Sequence, residues 1–266
     1  MIKVAIVGAA GRMGRMLMES VVADNETTLS AGIVSTTNGL QGIDCGELIG
    51  AGNLGVALTT SLAEVIDTVD AVIDFTCPTY TMENAAICAQ HKKTLVIGTT
   101  GLTDQQQQQL KVLSQKTPIV CAPNMSTGVN LVFKVLETVA KVLDGEADVE
   151  VVEMHHRSKV DAPSGTSLKM AEIVAKATHR SLEECAVYGR EGQVGVRKRE
   201  TIGFSTMRGG DVIGDHTMLF ACEGERIEIT HKASSRMIYA KGSVRAVKFL
   251  ATKQAGFYSM TDVLGL

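Results

Sequence analysis

The chain contains no tryptophan, and aromatic residues fill only 4% of its 266 positions. Proteins that hold single-stranded nucleic acid stack bases on aromatic rings, so such platforms are not on offer. An excess of positive charge is missing too: the formal net charge is −3 and the pI is near 6.1. That argues against a nucleic-acid partner, and the basic run Arg190, Arg197, Lys198 and Arg199 reads as a solvated loop. No stretch of roughly 18 apolar residues occurs, so no transmembrane helix is expected. The first residues, MIKVAIVGAAG, lack the apolar core and cleavage site of a secretory signal. The six cysteines (Cys45, Cys77, Cys88, Cys121, Cys185, Cys222) form no C-x-x-C pair. Several lie in apolar runs such as PIVCAP and LFACEG, as free thiols do in a reducing cytosol. With 45% apolar and 21% charged residues, the expectation is a cytoplasmic globular protein of one large or two modest domains.

What is present is an alternation of short apolar runs and helical stretches over the first 125 residues. KVAIVG (3–8), TLSAGIV (28–34), DAVIDF (70–75), TLVIGTT (94–100) and PIVCAP (118–123) read as strands. Helices are expected from about Gly11 to Ala23, over 81–92, and over the glutamine-rich 103–115, whose Gln105–Gln109 run fits an exposed face. Strands apolar on both faces and separated by helices imply a parallel sheet covered on both sides. Near Ser126 the pattern changes. GVNLVFKVLETVAKVL predicts a helix whose buried stripe is Leu131, Val135, Val139 and Val142 or Leu143. DVEVVEM (148–154) alternates as a strand does. TSLKMAEIVAKA is helical, residues 201–221 read as strand, turn and strand around Arg208–Asp211, and RIEITHKA (226–233) as a further strand. From about Met237 the chain turns helical again. No internal repeat is visible.

Gly8, Gly11 and Gly14 fall at a spacing of three between a strand and a helix. Glycines at that junction allow a tight turn, close approach of backbone to a pyrophosphate, and close helix–strand packing. The phosphates would then sit on the helix N-terminus. The spacing is not a strict G-x-G-x-x-G, since Ala10 stands at its second glycine. No carboxylate follows the second strand, where Ser35, Thr36, Thr37 and Asn38 stand instead. With nothing to repel a 2′-phosphate, and with Arg12 and the hydroxyl of Ser35 available to it, NADPH is the expected cofactor and NADH the rival. The strand ends IDFTCP (73–78), IGTTGL (97–102) and APNMS (122–126) each turn abruptly from apolar to small polar residues, which suits ligand lining at a carboxyl edge.

EMHHRSKVDAPSGTSLKMA (153–171) gathers the remaining chemistry. His155 and His156 follow a strand, so they point to opposite sides and have different tasks. Zinc is a poor reading, because no third ligand arrives at metal spacing and Lys159 would repel a cation. Ser164-Gly165-Thr166 opens a helix and is both a cap and an anion nest. With Lys159 five residues upstream, a carboxylate-bearing substrate fits. A histidine near its ordinary pKa would then protonate carbon or nitrogen as hydride arrives.

VGAAGRMGR, IDFT-x-P, IGTTG, APNMS-x-GVN, E-x-HH-x-x-K-x-DAPSGT and GERIEITHKASSR together run nearly end to end. On these motifs the chain resembles the 4-hydroxy-tetrahydrodipicolinate reductase (dihydrodipicolinate reductase) family of bacterial lysine and diaminopimelate synthesis. The resemblance implies that Gly8, Ala9, Ala10, Gly11, Arg12 and Met13 cradle the cofactor diphosphate, with Arg12 near the adenosine phosphate. It implies that Gly98, Thr99, Thr100, Ala122, Pro123, Asn124 and Met125 line the nicotinamide. It makes His155 the proton donor assisted by Lys159, and sets His156, Lys159, Gly165 and Thr166 on the substrate's carboxylates, beside Ser164 of the same turn. It also implies a homotetramer joined through the second domain. Val34-Ser35 departs from the acidic–basic pair of some members, which bears on cofactor choice and not on the chemistry.

The expected fold is therefore α/β. A Rossmann-like parallel-sheet domain (residues 1–126 and 237–266) accompanies an α+β substrate-binding and oligomerisation domain (127–236) with a largely antiparallel open sheet. Two other readings stay open: a different NAD(P)-dependent dehydrogenase of an amino-acid-derived acid, and a cofactor-binding sensor without turnover.

Overall fold

The structure is a computed structural model and describes residues Met1–Leu266. Along the chain come β1 (Ile2–Val7), α1 (Arg12–Ala23), β2 (Thr27–Ile33), α2 (Cys45–Ile49), β3 (Leu58–Thr59) and α3 (Leu62–Val65). Next are β4 (Ala71–Asp74), α4 (Pro78–His91), β5 (Thr94–Ile97), α5 (Asp104–Leu113) and β6 (Pro118–Cys121). Then follow α6 (Thr127–Val142), β7 (Asp148–His155), α7 (Gly165–Ala177), α8 (Leu182–Cys185), β8 (Ala186–Tyr188) and β9 (Ile202–Arg208). The last are β10 (Gly214–Ala221), β11 (Arg226–Ala233), α9 (Met237–Leu250), β12 (Gly256–Tyr258) and α10 (Met260–Leu264). Two compact units result, one of Met1–Thr127 with Arg236–Leu266 and one of Gly128–Ser235.

The first unit is a seven-stranded sheet in the order β12-β6-β5-β4-β1-β2-β3, parallel at every pairing. Successive strand residues face opposite sides, and β1 supplies both cores. Val4 and Ile6 join Leu17, Met18 and Val21 of α1 and Val244, Val247 and Leu250 of α9. Ala5 and Val7 join Val72, Leu95 and Ile97 with Ala85, Cys88 and Leu110 of the helices opposite. Chain order reverses between β1 and β4, so the crevice beyond their carboxyl ends is the place where a ligand binds such a sheet. The glutamine run has a local use as well. Gln106 completes a capping box with Thr103, while Leu110 alone of α5 is buried.

The second unit holds a mixed five-stranded sheet in the order β11-β10-β7-β9-β8. β10 runs antiparallel to β7 and to β11, whereas β7–β9 and β8–β9 are parallel. The strands flanking Arg208–Asp211 therefore do not pair with each other: β7 lies between them. The connecting turn is tied to the segment after β7. His156 N–H donates to the Val212 carbonyl at 2.7 Å, Arg157 N–H to Gly210 at 3.2 Å, and Gly209 N–H to His155 at 3.0 Å.

One expectation fails in this unit. Leu131, Val135 and Val142 of α6 are 48%, 38% and 71% exposed, and the core face carries Leu136 and Ala140 instead. Val132, Phe133, Val139 and Leu143 pack half-buried against that core. A helix apolar on most sides admits more than one stripe, and the sheet selects one of them. The basic run is the exposed loop expected, but two of its arginines reach back onto β7. Arg197 donates to Asp148 at 2.7 Å, to Glu150 at 3.0 Å and to the carbonyls of Val149 and Thr201. Arg190 forks onto Glu150 at 2.9 and 3.0 Å. Together they clamp the outer face of β7. Gly203 is opposite Glu150 in the ladder, and a Cβ there would sit 1.9 Å from the carboxylate.

Candidate functional site

Each unit holds one cluster of candidate residues. In the first, β1 ends at Gly8, whose φ of +73° is the left-handed region that glycine enters without penalty. A Cβ at Gly14 would lie 2.1 Å from the Gly8 carbonyl oxygen, so α1 approaches the turn closer than any side chain permits. Gly11 is the N-cap and contributes no side-chain hydrogen bond, and no acidic residue stands in the first turn. The first amides of a 12-residue helix thus remain directed outward beside exposed Arg12. Ala9 is buried, while Ala10 and Met13 are half-buried. This cradle fits a dinucleotide diphosphate, because free N–H groups and the helix dipole both favour anionic charge. Ser35 lies exposed just after β2, with its hydroxyl 2.8 Å from that of Thr37.

The neighbouring strand ends are joined by a carboxylate that sequence reasoning did not single out. Asp74 is fully buried at the end of β4. Its Oδ1 accepts from the Thr76 amide at 2.8 Å and the Thr76 hydroxyl at 2.6 Å, and its Oδ2 from Asn84 at 2.9 Å. Thr99 reaches the same Oδ1 at 3.4 Å and pairs with the Thr81 hydroxyl at 2.8 Å. IDFT and GTT are therefore held in one hydrogen-bonded group. Gly98 is pressed against the Phe75 ring, where a Cβ would come within 2.1 Å. Thr100 and Pro123 are exposed, Ala122 and Met125 buried. The Asn124 side chain accepts from the Ser126 amide at 2.9 Å. Gly242 of α9 crosses so closely that a Cβ would fall 1.8 Å from the Met125 carbonyl.

In the second unit the motif at 153–166 folds around a buried ion pair. β7 alternates so that Val149, Val151, Glu153 and His155 share its inner face, and the first two pack in the core. Glu153 Oε2 is 2.5 Å from His155 Nδ1. Arg208 of β9 forks onto both Glu153 oxygens at 2.8 and 3.0 Å. Ser164 N–H donates to Oε1 at 3.2 Å. Ser164 caps α7 by accepting from the Ser167 amide at 3.1 Å, and its hydroxyl pairs with His216 Nε2 at 2.8 Å. The His155 and His216 rings meet edge to face with centroids 5.0 Å apart. Gly165 is exposed and Thr166 half-buried in the first turn of α7. Lys159 forks onto Asp161 at 2.8 and 3.0 Å. His156, just past the strand, is half-buried.

Electrostatics sort these groups. Burial would push the Glu153 carboxyl up, but hydrogen bonds and charge from Arg208 and His155 outweigh it and hold the carboxyl below its ordinary range. An ionised carboxylate only accepts, so His155 Nδ1 carries a proton. Burial lowers the His155 pKa, with Lys159 and Arg208 acting in the same direction and Glu153 opposing. The expectation of a histidine near its ordinary pKa is thus corrected: the pKa lies below it, and at neutral pH the ring is mostly neutral. His216, buried on β10, is pushed down to about 4. Arg208 and His216, missed in the sequence, lie more than 50 positions from Glu153 and 52 from Ser164, and only the sheet order brings them in. No group of three or more His, Cys, Asp or Glu side chains could hold a metal ion.

Comparison with known proteins adds a lineage to this geometry. Family profiles described as "Dihydrodipicolinate reductase, N-terminus" and "Dihydrodipicolinate reductase, C-terminus" match residues 2–125 and 128–264. A 4-hydroxy-tetrahydrodipicolinate reductase of Chromohalobacter salexigens is 55% identical over all of this chain and 99% of its own length. One from Saccharophagus degradans is 52% identical over 99% of this chain and 98% of its own. Among solved structures, the dipicolinate-bound dihydrodipicolinate reductase of Paenisporosarcina sp. TG-14 superposes with a TM-score of 0.79 at 26% identity, covering 98% of each chain.

Proposed function

The chain belongs to the dihydrodipicolinate reductase family, and from that premise we propose that it reduces 4-hydroxy-tetrahydrodipicolinate to tetrahydrodipicolinate, with NADPH as the preferred cofactor. The observation that carries the reading is the Glu153–His155–Arg208 group beside the amide end of α7, together with Lys159. When bound, the reduced nicotinamide supplies hydride to the ring of the cyclic dicarboxylate. Gly8 to Met13 hold the diphosphate, and Arg12 and Ser35 take the 2′-phosphate. Gly98 to Thr100 and Ala122 to Met125 orient the nicotinamide. His156, Lys159, Ser164, Gly165 and Thr166 hold the substrate's carboxylates, for which Lys159 exchanges Asp161 for the ligand. Those two negative charges raise the His155 pKa, and His155 Nε2 delivers the proton that completes the reduction. The hydroxyl leaves as water with a proton lost from the adjacent ring carbon, and the double bond so formed is the one that the hydride and the His155 proton saturate. Residues 127–236 also supply the contacts of a homotetramer, for which exposed Met207 and Ile227 on the sheet are available.

The decisive experiment is cofactor oxidation with substrate generated in the cuvette from pyruvate, aspartate semialdehyde and the synthase, run with NADPH and NADH side by side. Synthase-dependent oxidation, faster with NADPH, is the expected result. Oxidation independent of the synthase, or none with either nucleotide, refutes the assignment. In the same assay Lys159→Ala loses most turnover while still binding NADPH, since Lys159 belongs to the substrate motif and is far from the glycine loop in sequence. His155→Ala loses about 10²–10⁴-fold in the proton-transfer step.

A further inference from the structure

The reading above gives His155 the proton and leaves the buried pair behind it without a task. Glu153 is 1% exposed, yet its two oxygens receive bonds from three separate parts of the unit. Oε2 takes His155 Nδ1–H at 2.5 Å. Both oxygens take the Arg208 guanidinium, and Oε1 takes the backbone amide of Ser164, at the cap of α7. Arg208 is itself anchored on the Asp161 carbonyl at 2.7 Å, inside the loop that carries Lys159.

We infer that Glu153, locked by Arg208, is a positioning residue that fixes the tautomer and orientation of His155 and registers it against the carboxylate-binding turn of α7. Nδ1–H is committed to Glu153, so Nε2 is the ring nitrogen left to donate. Gly214 keeps that side open: a Cβ there would crowd Nε2 at 3.0 Å. In the transfer step the Nε2–H bond breaks, the proton goes to the substrate, and Nδ1–H stays on Glu153. The fork from Arg208 keeps the carboxylate from taking the proton instead. Because the amide of Ser164 hangs on the same carboxylate, the donor nitrogen and the turn that grips the dicarboxylate keep one spacing. A pair with both partners at the surface would add little of this kind, but a half-buried guanidinium forked onto a buried carboxylate is geometrically strict. The catalytic consequence rests on the His155 assignment of the preceding subsection; the tautomer does not.

The test combines kinetics with 15N-histidine NMR on the whole protein. Glu153→Gln is expected to lower kcat about 10- to 100-fold, a fraction of the roughly 10²–10⁴-fold that a general acid supplies, and to leave NADPH affinity within about twofold. His155 passes from a single Nδ1–H tautomer in the parent to a mixture in the variant. The pH profile separates positioning from mere support. The charged or titratable groups facing His155 are Glu153 on its own strand, Lys159, Arg208 on β9 and His216 on β10. Of these Glu153 alone raises its pKa. Activity that needs protonated His155 is lost as pH rises through that pKa, so Glu153→Gln moves the loss to lower pH. Glu153→Gln/His155→Gln is expected to be no slower than His155→Gln alone.

An unchanged His155 tautomer with full kcat in Glu153→Gln overturns the inference, and so does additive loss in the double variant. If His155→Gln alone keeps its turnover, the donor assignment falls, and the NMR arm still decides whether Glu153 sets the tautomer. Where Glu153→Gln does not fold, Glu153→Asp carries the kinetic arm, and unchanged kcat and pH profile in that variant count against the role.

Discussion

Gly98 shows how little freedom single positions retain at the strand ends. Any Cβ there would penetrate the Phe75 ring at 2.1–2.4 Å, and Phe75 directly follows buried Asp74. Gly98→Ala is therefore expected to displace the ring and slacken the Asp74–Thr76–Thr99 group. The loss of stability should be about 1–3 kcal/mol, and NADPH affinity should fall with it. Urea midpoints and nucleotide titration check both, and wild-type values in each would contradict the packing argument. Some of this scale was legible in the sequence. His155, Lys159 and Ser164–Thr166 stand in one 12-residue stretch, and residue types that dense declare a polar site. Asp74 and Glu153 were legible only as members of motifs. A buried carboxylate and a surface one are written with the same letter, and what distinguishes them is the donors that arrive from elsewhere. Arg208 looked like a turn residue because its partner lies across a sheet.

Among the elements, β7 carries the most varied load. Its inner face turns from core (Val149, Val151) to site (Glu153, His155) with no break in the alternation, and its outer face takes the Arg190–Arg197 clamp on Glu150. Alternation made the strand readable. Its place in the sheet was not, because pairing with β9 and β10 joins segments tens of residues apart and local pattern carries no trace of it. α6 failed for the opposite reason, being apolar on too many sides to declare one. β10 yields a prediction of its own. His216 is held neutral, at about 4 against an ordinary 6.5, facing His155, Glu153, Lys159 and, across the ladder, His231. Between those values the unfolded chain binds a proton that the folded protein refuses. Stability should therefore fall as pH drops from 6.5 towards 4, by up to about 1.4 kcal/mol per pH unit from this group, and be insensitive to it above 6.5. Urea unfolding at pH 7, 6 and 5 should show a shallower decline in His216→Gln than in the parent. Parallel curves for the two would show that His216 is not the group responsible.

For the molecule as a whole, the first unit is discontinuous in sequence. Its sheet begins at Ile2, but the core on one face is completed by Ala240, Val244, Val247 and Leu250, and the sheet edge by β12. Fold class was legible because strand–helix alternation at the start is strong. The return at the end was readable only as a helix, and β12, three residues long, left no periodicity to read. Deleting 237–266 should leave residues 1–127 without a closed core, seen as lost nucleotide binding and rapid proteolysis. A truncated chain that still binds NADPH would refute this. The same arrangement orders events during synthesis. The strands of this unit made first must wait, with one apolar face bare, while the ribosome adds the whole of 128–235 and then α9, a delay on the order of ten seconds at ordinary elongation rates. The unit encoded in the middle is contiguous and free to settle in that interval. Of the two units, the one whose strands are made first is thus the last to be finished, and it is the one for which a holding chaperone has the most to cover.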